Sequence, residues 1–141
     1  MKQLYYRELR KYKYQLMENY ELYIPIRNKI VSERFIKLCV DGLLIIKQGY
    51  AWDGPSGPTF DTLTFMRGSL VHDAIYQLIR LELLPLLYRK LADELLYSIC
   101  LEDGMNKFRA WYVYQSVRLF AGLCAKPGSQ ENDTIICAPK R

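Results

Sequence analysis

The order of patterns in this chain predicts an α+β fold: a small N-terminal antiparallel sheet followed by three helices, the second packed antiparallel on the first. Three observations carry that prediction. Residues 3–24 alternate and are rich in tyrosine, the period-two pattern of strands. Beyond residue 61 the apolar residues recur three and four apart, as on helices. Between the two regimes, Gly49 to Phe60 holds three glycines and two prolines and cannot be a regular element. Strands first and helices after is the order of an α+β domain.

The elements follow in turn. Tyr12 to Met17 and Tyr20 to Ile24 read as strands with a turn at Asn19, and Pro25 ends the second. Phe35–Val40 and Leu43–Lys47 make a further pair around Asp41-Gly42, a dipeptide favoured in type I′ hairpin turns. The first fifty residues thus predict three to five strands. Asp61 and Thr62 are good N-caps for a helix over about 64–80. A second helix is expected over about 85–102, with Pro85 in its first turn and Leu87, Leu91, Leu95 and Ile99 at helical spacing. Gly104 punctuates its end. Asn106 caps a third helix, 107–121, with Phe108, Trp111, Tyr112 and Leu119 expected to face inward. Residues 1–125 read as a single domain and the polar, turn-rich residues 126–141 as a flexible tail.

Composition bounds the function. The chain has 141 residues, half of them apolar, and a net charge of +5. That is enough apolar residue to build a core without disulfide staples. Residues 1–50 hold ten Lys/Arg against five Asp/Glu, and residues 51–125 seven against eight. The basic third contains no Lys/Arg run and no nucleic-acid-binding motif, so it reads as a solvated sheet face and no nucleic-acid partner is expected. The four cysteines form no C-x-x-C pair, which supports neither a zinc site nor a redox dithiol. Cys39 and Cys100 lie among apolar residues and read as buried thiols in a reducing compartment. No signal-peptide core and no membrane-spanning stretch is present in the sequence, so a cytoplasmic protein is expected, in a host cytoplasm if the chain is viral.

The chemistry concentrates around the only histidine. Gly68, His72 and Tyr76 are spaced i, i+4, i+8 and share one helix face. His72 is the side chain suited to proton transfer near neutrality. A base needs an acceptor on its other ring nitrogen, and Asp93, inside Leu91-Ala92-Asp93-Glu94-Leu95, is the candidate. Its inward carboxylate would be costly unless paired. With the helices joined by the short link Leu81–Leu84, positions 72 and 93 each lie about ten residues, or ~15 Å of helix, from the turn. Arg89 stands four residues before Asp93 and is placed to pair with it. Asp73 points about 100° away from His72 around the helix. With Asp53 it could hold a hard cation such as Ca²⁺ or another divalent ion near the glycine-rich loop. Trp52, Asp53, Ser56 and Arg89 are the candidate ligand-binding residues. Ser56 lacks the G-x-S-x-G context of a nucleophile.

Four motifs occur in order: Gly49, Tyr50, Asp53, Ser56 and Pro58; then His72, Asp73 and Tyr76; then Arg89, Ala92 and Asp93; then Gly104. Over about residues 35–122 the chain resembles the phage and prophage family of domain of unknown function 1353. A second, local resemblance is to phospholipase A₂, in His72-Asp73-x-x-Tyr76 with Asp93 on the next helix. That resemblance implies His72 as the base for a water, Asp73 as a calcium ligand, and Tyr76 and Asp93 as supports of the histidine. The flanking cysteines of that family are absent, and Ser69 stands where one would sit. The function expected is a phage-derived protein with a site centred on His72 and Asp93, a hydrolase that activates water with or without the help of a metal. The alternatives are a non-catalytic accessory protein that binds a host protein or small ligand, for example against a host defence, and a virion-associated component.

Overall fold

The computed structural model describes residues 3–8, 14–52 and 63–119. Asp53, Ser56, Asp61, Thr62 and the tail 126–141 lie outside the described residues. The chain divides into two compact units, Met1–Trp52 and Asp53–Arg141. The division falls where strand periodicity gives way to helical periodicity.

Among its described residues, the regular elements of the first unit are strands: β1 (Tyr6–Glu8), β2 (Tyr14–Leu16), β3 (Tyr20–Tyr23), β4 (Val31–Ser32), β5 (Ile36–Leu38), β6 (Leu43–Ile46) and β7 (Ala51–Trp52). These form two antiparallel sheets instead of one, in the orders β1-β2-β7 and β3-β6-β5-β4. Alternation sets their faces as predicted. Ile36, Leu38, Leu44 and Ile46 have no exposed surface, and Ile36 lies opposite Ile46 and Leu38 opposite Leu44 across the β5–β6 pair. Two expectations need correction. The stretch from Gly49 is not wholly irregular, because Ala51 and Trp52 pair with Gln15 and Tyr14. The β5–β6 turn is not type I′, which needs positive φ at both central residues. Gly42 donates to the Cys39 carbonyl, and of Val40, Asp41 and Gly42 only the glycine has positive φ, at 94°. The loop therefore closes through a left-handed glycine after the turn, and Asp41 Oδ1 braces it by accepting from the Leu43 amide.

The second unit holds α1 (Leu63–Arg80), a 3-10 turn at Leu86–Tyr88, α2 (Arg89–Glu102) and α3 (Lys107–Leu119). Helix α1 packs on α2, and their paired residues run in opposite directions, from Arg67 with Asp103 to His72 with Asp93. Gly68 lets the two helices approach: a Cβ there would lie 2.9 Å from Leu96 Cδ1 and 3.1 Å from Cys100 Sγ. The space beside Gly68 is thus filled by α2, not kept for a ligand. Pro85 precedes a 3-10 turn, so α2 starts four residues later than predicted. It ends in a Schellman motif, in which Met105 donates to the Cys100 carbonyl and Gly104, at φ 96°, to Leu101. Asn106 caps α3 as predicted, its Oδ1 accepting from the amides of Phe108 and Arg109.

The faces of α2 and α3 differ from those read in the sequence. On α2 the buried residues are Ala92, Asp93, Leu96, Ile99 and Cys100, while Leu87 is exposed and Leu91 and Leu95 are half-buried. On α3 the buried residues are Ala110 and Val113, which join Phe65, Leu96, Cys100 and Met105 in one apolar cluster. Phe108, Trp111, Tyr112 and Leu119 face solvent. Helix α3 is apolar on both sides, and the side with the smaller residues allows the closer helix approach. Of the two described cysteines, Cys100 is buried as expected and Cys39 only half-buried.

Candidate active site

The buried centre of the helical unit is a carboxylate. Asp93 has no exposed surface, and three side chains from the two other helices, α1 and α3, converge on it. His72 Nε2 lies 2.7 Å from Oδ1. The Tyr76 hydroxyl donates to the same oxygen at 2.6 Å. Arg118 Nη1 donates to Oδ2 at 2.8 Å. Arg89, expected as the ion-pair partner, stands farther off at 4.0 Å from Oδ2 and donates to the Arg118 backbone carbonyl at 3.3 Å. Helical spacing makes this assembly. His72 and Tyr76 are one turn apart on α1, with ring centroids 4.1 Å apart. Arg67 ties the other end of α1 to α2 through ion pairs with Glu102 and Asp103 at 2.7 and 2.8 Å.

The partners fix the histidine tautomer. An ionised carboxylate only accepts hydrogen bonds, so His72 Nε2 carries a proton in either charge state, and Nδ1 is the nitrogen that titrates. Asp73 Oδ1 lies 3.7 Å from Nδ1, beyond hydrogen-bonding distance but near enough to act as a charge. Burial disfavours the imidazolium, yet the carboxylates of Asp73 and Asp93 outweigh it and hold the His72 pKa above its ordinary value. Burial also disfavours the Asp93 carboxylate, but His72, Tyr76 and Arg118 together hold its pKa below the usual range. Burial and the neighbouring Asp93 charge push the Tyr76 phenol upward, so that hydroxyl stays a donor. The result is a histidine able to exchange a proton at one defined nitrogen. Near its pKa, Nδ1 gives a proton in one charge state and accepts one in the other.

The sequence-derived candidates separate clearly. His72, Tyr76, Asp93 and Arg89 come together, with Asp73 beside them. Trp52 is 2% exposed and its ring packs in the first unit against Tyr6, Tyr14 and Tyr50, so its side chain is used in that packing. Among the described residues, no group of three or more His, Cys, Asp and Glu side chains could hold a metal ion. Asp73 alone falls well short of the six to eight oxygens that Ca²⁺ takes. Arg118 was not anticipated. One signal could have found it: Arg118 and Asp93 lie at nearly equal distances along the chain from Met105, as do Tyr114 and Tyr97, whose rings meet at 5.6 Å. Cys100 is also buried near this face, and burial with the nearby Asp103 charge pushes its thiol up to about 12, which leaves it an inert packing group. No described helix is long and apolar enough to cross a membrane. In comparisons with known proteins, no family, no curated protein and no solved structure matches the chain.

Proposed function

We propose that this protein is a phage-type hydrolase, related to the family its four motifs resemble, in which His72 activates water. The observation that supports the reading is the hydrogen bond from His72 Nε2 to a fully buried Asp93, which orients the ring and leaves Nδ1 as the reacting atom. In the step, water oxygen attacks an ester carbonyl carbon while Nδ1 takes the water proton. The tetrahedral intermediate then collapses, and the proton on Nδ1 passes to the departing alkoxide. Tyr76 and Arg118 hold the carboxylate, and Asp73 supplies charge on the Nδ1 side. His72 is 5% exposed, so substrate reaches it along the edge marked by Asp73, whose side chain is 19% exposed. The test is hydrolysis of aryl esters and phospholipid vesicles with and without Ca²⁺. His72→Asn is expected to lower kcat by ~10²–10⁴-fold. Turnover by the wild-type protein no faster than by His72→Asn would overturn the reading.

A second reading has its own support. Phe108, Trp111, Tyr112 and Leu119 form an exposed apolar stripe on α3, and aromatic side chains are frequent binding anchors. In this reading the protein is a non-catalytic accessory factor that binds a host protein in the cytoplasm, and His72 serves packing. A host partner captured equally by the wild type and His72→Asn, but lost with Trp111→Ser, would favour it. Recovery of the protein in purified particles would instead point to a virion component.

A further inference from the structure

The Asp93 cluster also draws on α3, the helix the histidine motif does not include. Asp93 offers two oxygens, and they are divided: Oδ1 serves His72 and Tyr76 from α1, and Oδ2 serves Arg118 from the last turn of α3. Without Arg118, the carboxylate would keep one oxygen unpaired by any short contact among the described residues, with Arg89 at 4.0 Å as the nearest cation. Such a carboxylate is free to rotate about its bond to the chain and to change which oxygen the imidazole meets. It would also present a less compensated charge to the ring. The carboxylate is buried and the arginine side chain 27% exposed, so this pairing is screened less than a surface ion pair.

We propose that Arg118 is a positioning residue for His72: by holding Oδ2 of Asp93 it fixes the carboxylate that orients the imidazole and sets how much negative charge the ring meets. The proposal rests on the reading of His72 as the proton-transfer group, and its test does not need turnover. It also makes α3 part of the site. The helix carries Arg118 at one end and packs through Ala110 and Val113 on α2, so the depth of that packing determines where the guanidinium arrives.

The charged and titratable groups that face His72 among the described residues are Asp73 and Tyr76 on α1, Asp93 and Arg89 on α2, and Arg118 on α3. Removing the Arg118 charge leaves the two carboxylates to favour the imidazolium more strongly. His72 is the only histidine in the chain, so its ring resonances titrate alone in an NMR experiment on the full-length protein. Arg118→Gln is expected to move that titration to higher pH, and Arg118→Lys to return it toward the wild-type position. Arg89→Gln, which removes a charge of the same sign at greater distance from Asp93, is expected to move it less. In a hydrolysing protein, the acid limb of the rate profile would shift by the same amount as the NMR titration. On the wild-type protein, the Arg118 guanidinium resonances are expected to follow the His72 titration, a measurement that stands even if Arg118→Gln does not fold. The proposal is overturned if Arg89→Gln shifts His72 as much as Arg118→Gln does, or if the Arg118 guanidinium is insensitive to the His72 titration. Absence of hydrolysis with an intact NMR response would sink the enzymatic reading and leave the role of Arg118 in place.

Discussion

Asp93 sits in mid-helix with no exposed surface, a placement that costs several kcal/mol unless the carboxylate is paired and hydrogen-bonded. Three donors on two oxygens supply the pairing. The cost returns from the other side when the carboxylate is removed, because His72, Tyr76 and Arg118 then lose one partner together. Asp93→Ala is therefore expected to destabilise the protein by about 3–5 kcal/mol, measured by urea unfolding followed by circular dichroism. A loss under ~1 kcal/mol would mean that water replaces the carboxylate freely and that the cluster is not sealed. His72 and Asp93 were legible as a pair in the sequence. One was the sole histidine, the other an acid among apolar residues on the next helix, and the four-residue link set them at similar distances from the turn. Arg118 was not legible from local pattern, and the reason is physical. Spacing already offered the carboxylate two partners, His72 and Arg89, and nothing in the local pattern asked for a donor from a third helix.

Helix positions were easier to read than helix faces. The cap of α3 follows from local chemistry, since Asn106 satisfies the first amides of its helix whatever the helix packs against. Faces depend on what lies opposite. Both sides of α3 are apolar, and periodicity could not separate Phe108, Trp111, Tyr112 and Leu119 from Ala110 and Val113. The close α1–α2 approach decides the site geometry, and Gly68 is its test. In an open helix, Gly→Ala gains ~1 kcal/mol. Here the new Cβ would press on the buried Leu96 at 2.9 Å, and overpacking of this kind costs about 1–3 kcal/mol. Gly68→Ala is expected to lower stability and to move the His72 NMR signals one turn away, whereas a rise in melting temperature would show that the helices have slack. The opposite case closes α1. Leu83 donates to the Leu78 carbonyl and Glu82 to Ile79, a Schellman arrangement that puts Glu82 at φ 59°, where glycine is usual. Glu82→Gly is expected to stabilise by about 0.5–1 kcal/mol, read as an increase in the urea midpoint with His72 undisturbed.

At the scale of the whole molecule these groups reappear as a dependence of stability on pH, and the sign follows from the two shifts. The folded His72 pKa lies above its ordinary value of 6.5. Its contribution to stability is therefore full below pH 6.5 and is lost as pH rises through the folded pKa. The folded Asp93 pKa lies below its ordinary value of 3.8. Its contribution is full above pH 3.8 and is lost as pH falls through the folded pKa. The cluster stabilises most between those two values. On the acid side a second effect adds to the loss, because the chain already carries a net charge of +5 and protonated carboxylates increase its self-repulsion. On the neutral side the decline belongs to one residue, since the chain has a single histidine and no other side-chain type has an unperturbed pKa in that range. The wild-type protein is thus expected to lose stability as pH rises above 6.5, in step with the His72 NMR titration, while His72→Gln should be flat over the same interval. Melting temperatures collected across that range for both proteins decide it. A decline that persists in His72→Gln, or a wild-type stability that increases as His72 deprotonates, would mean that the two flanking carboxylates do not hold the imidazolium in the folded state.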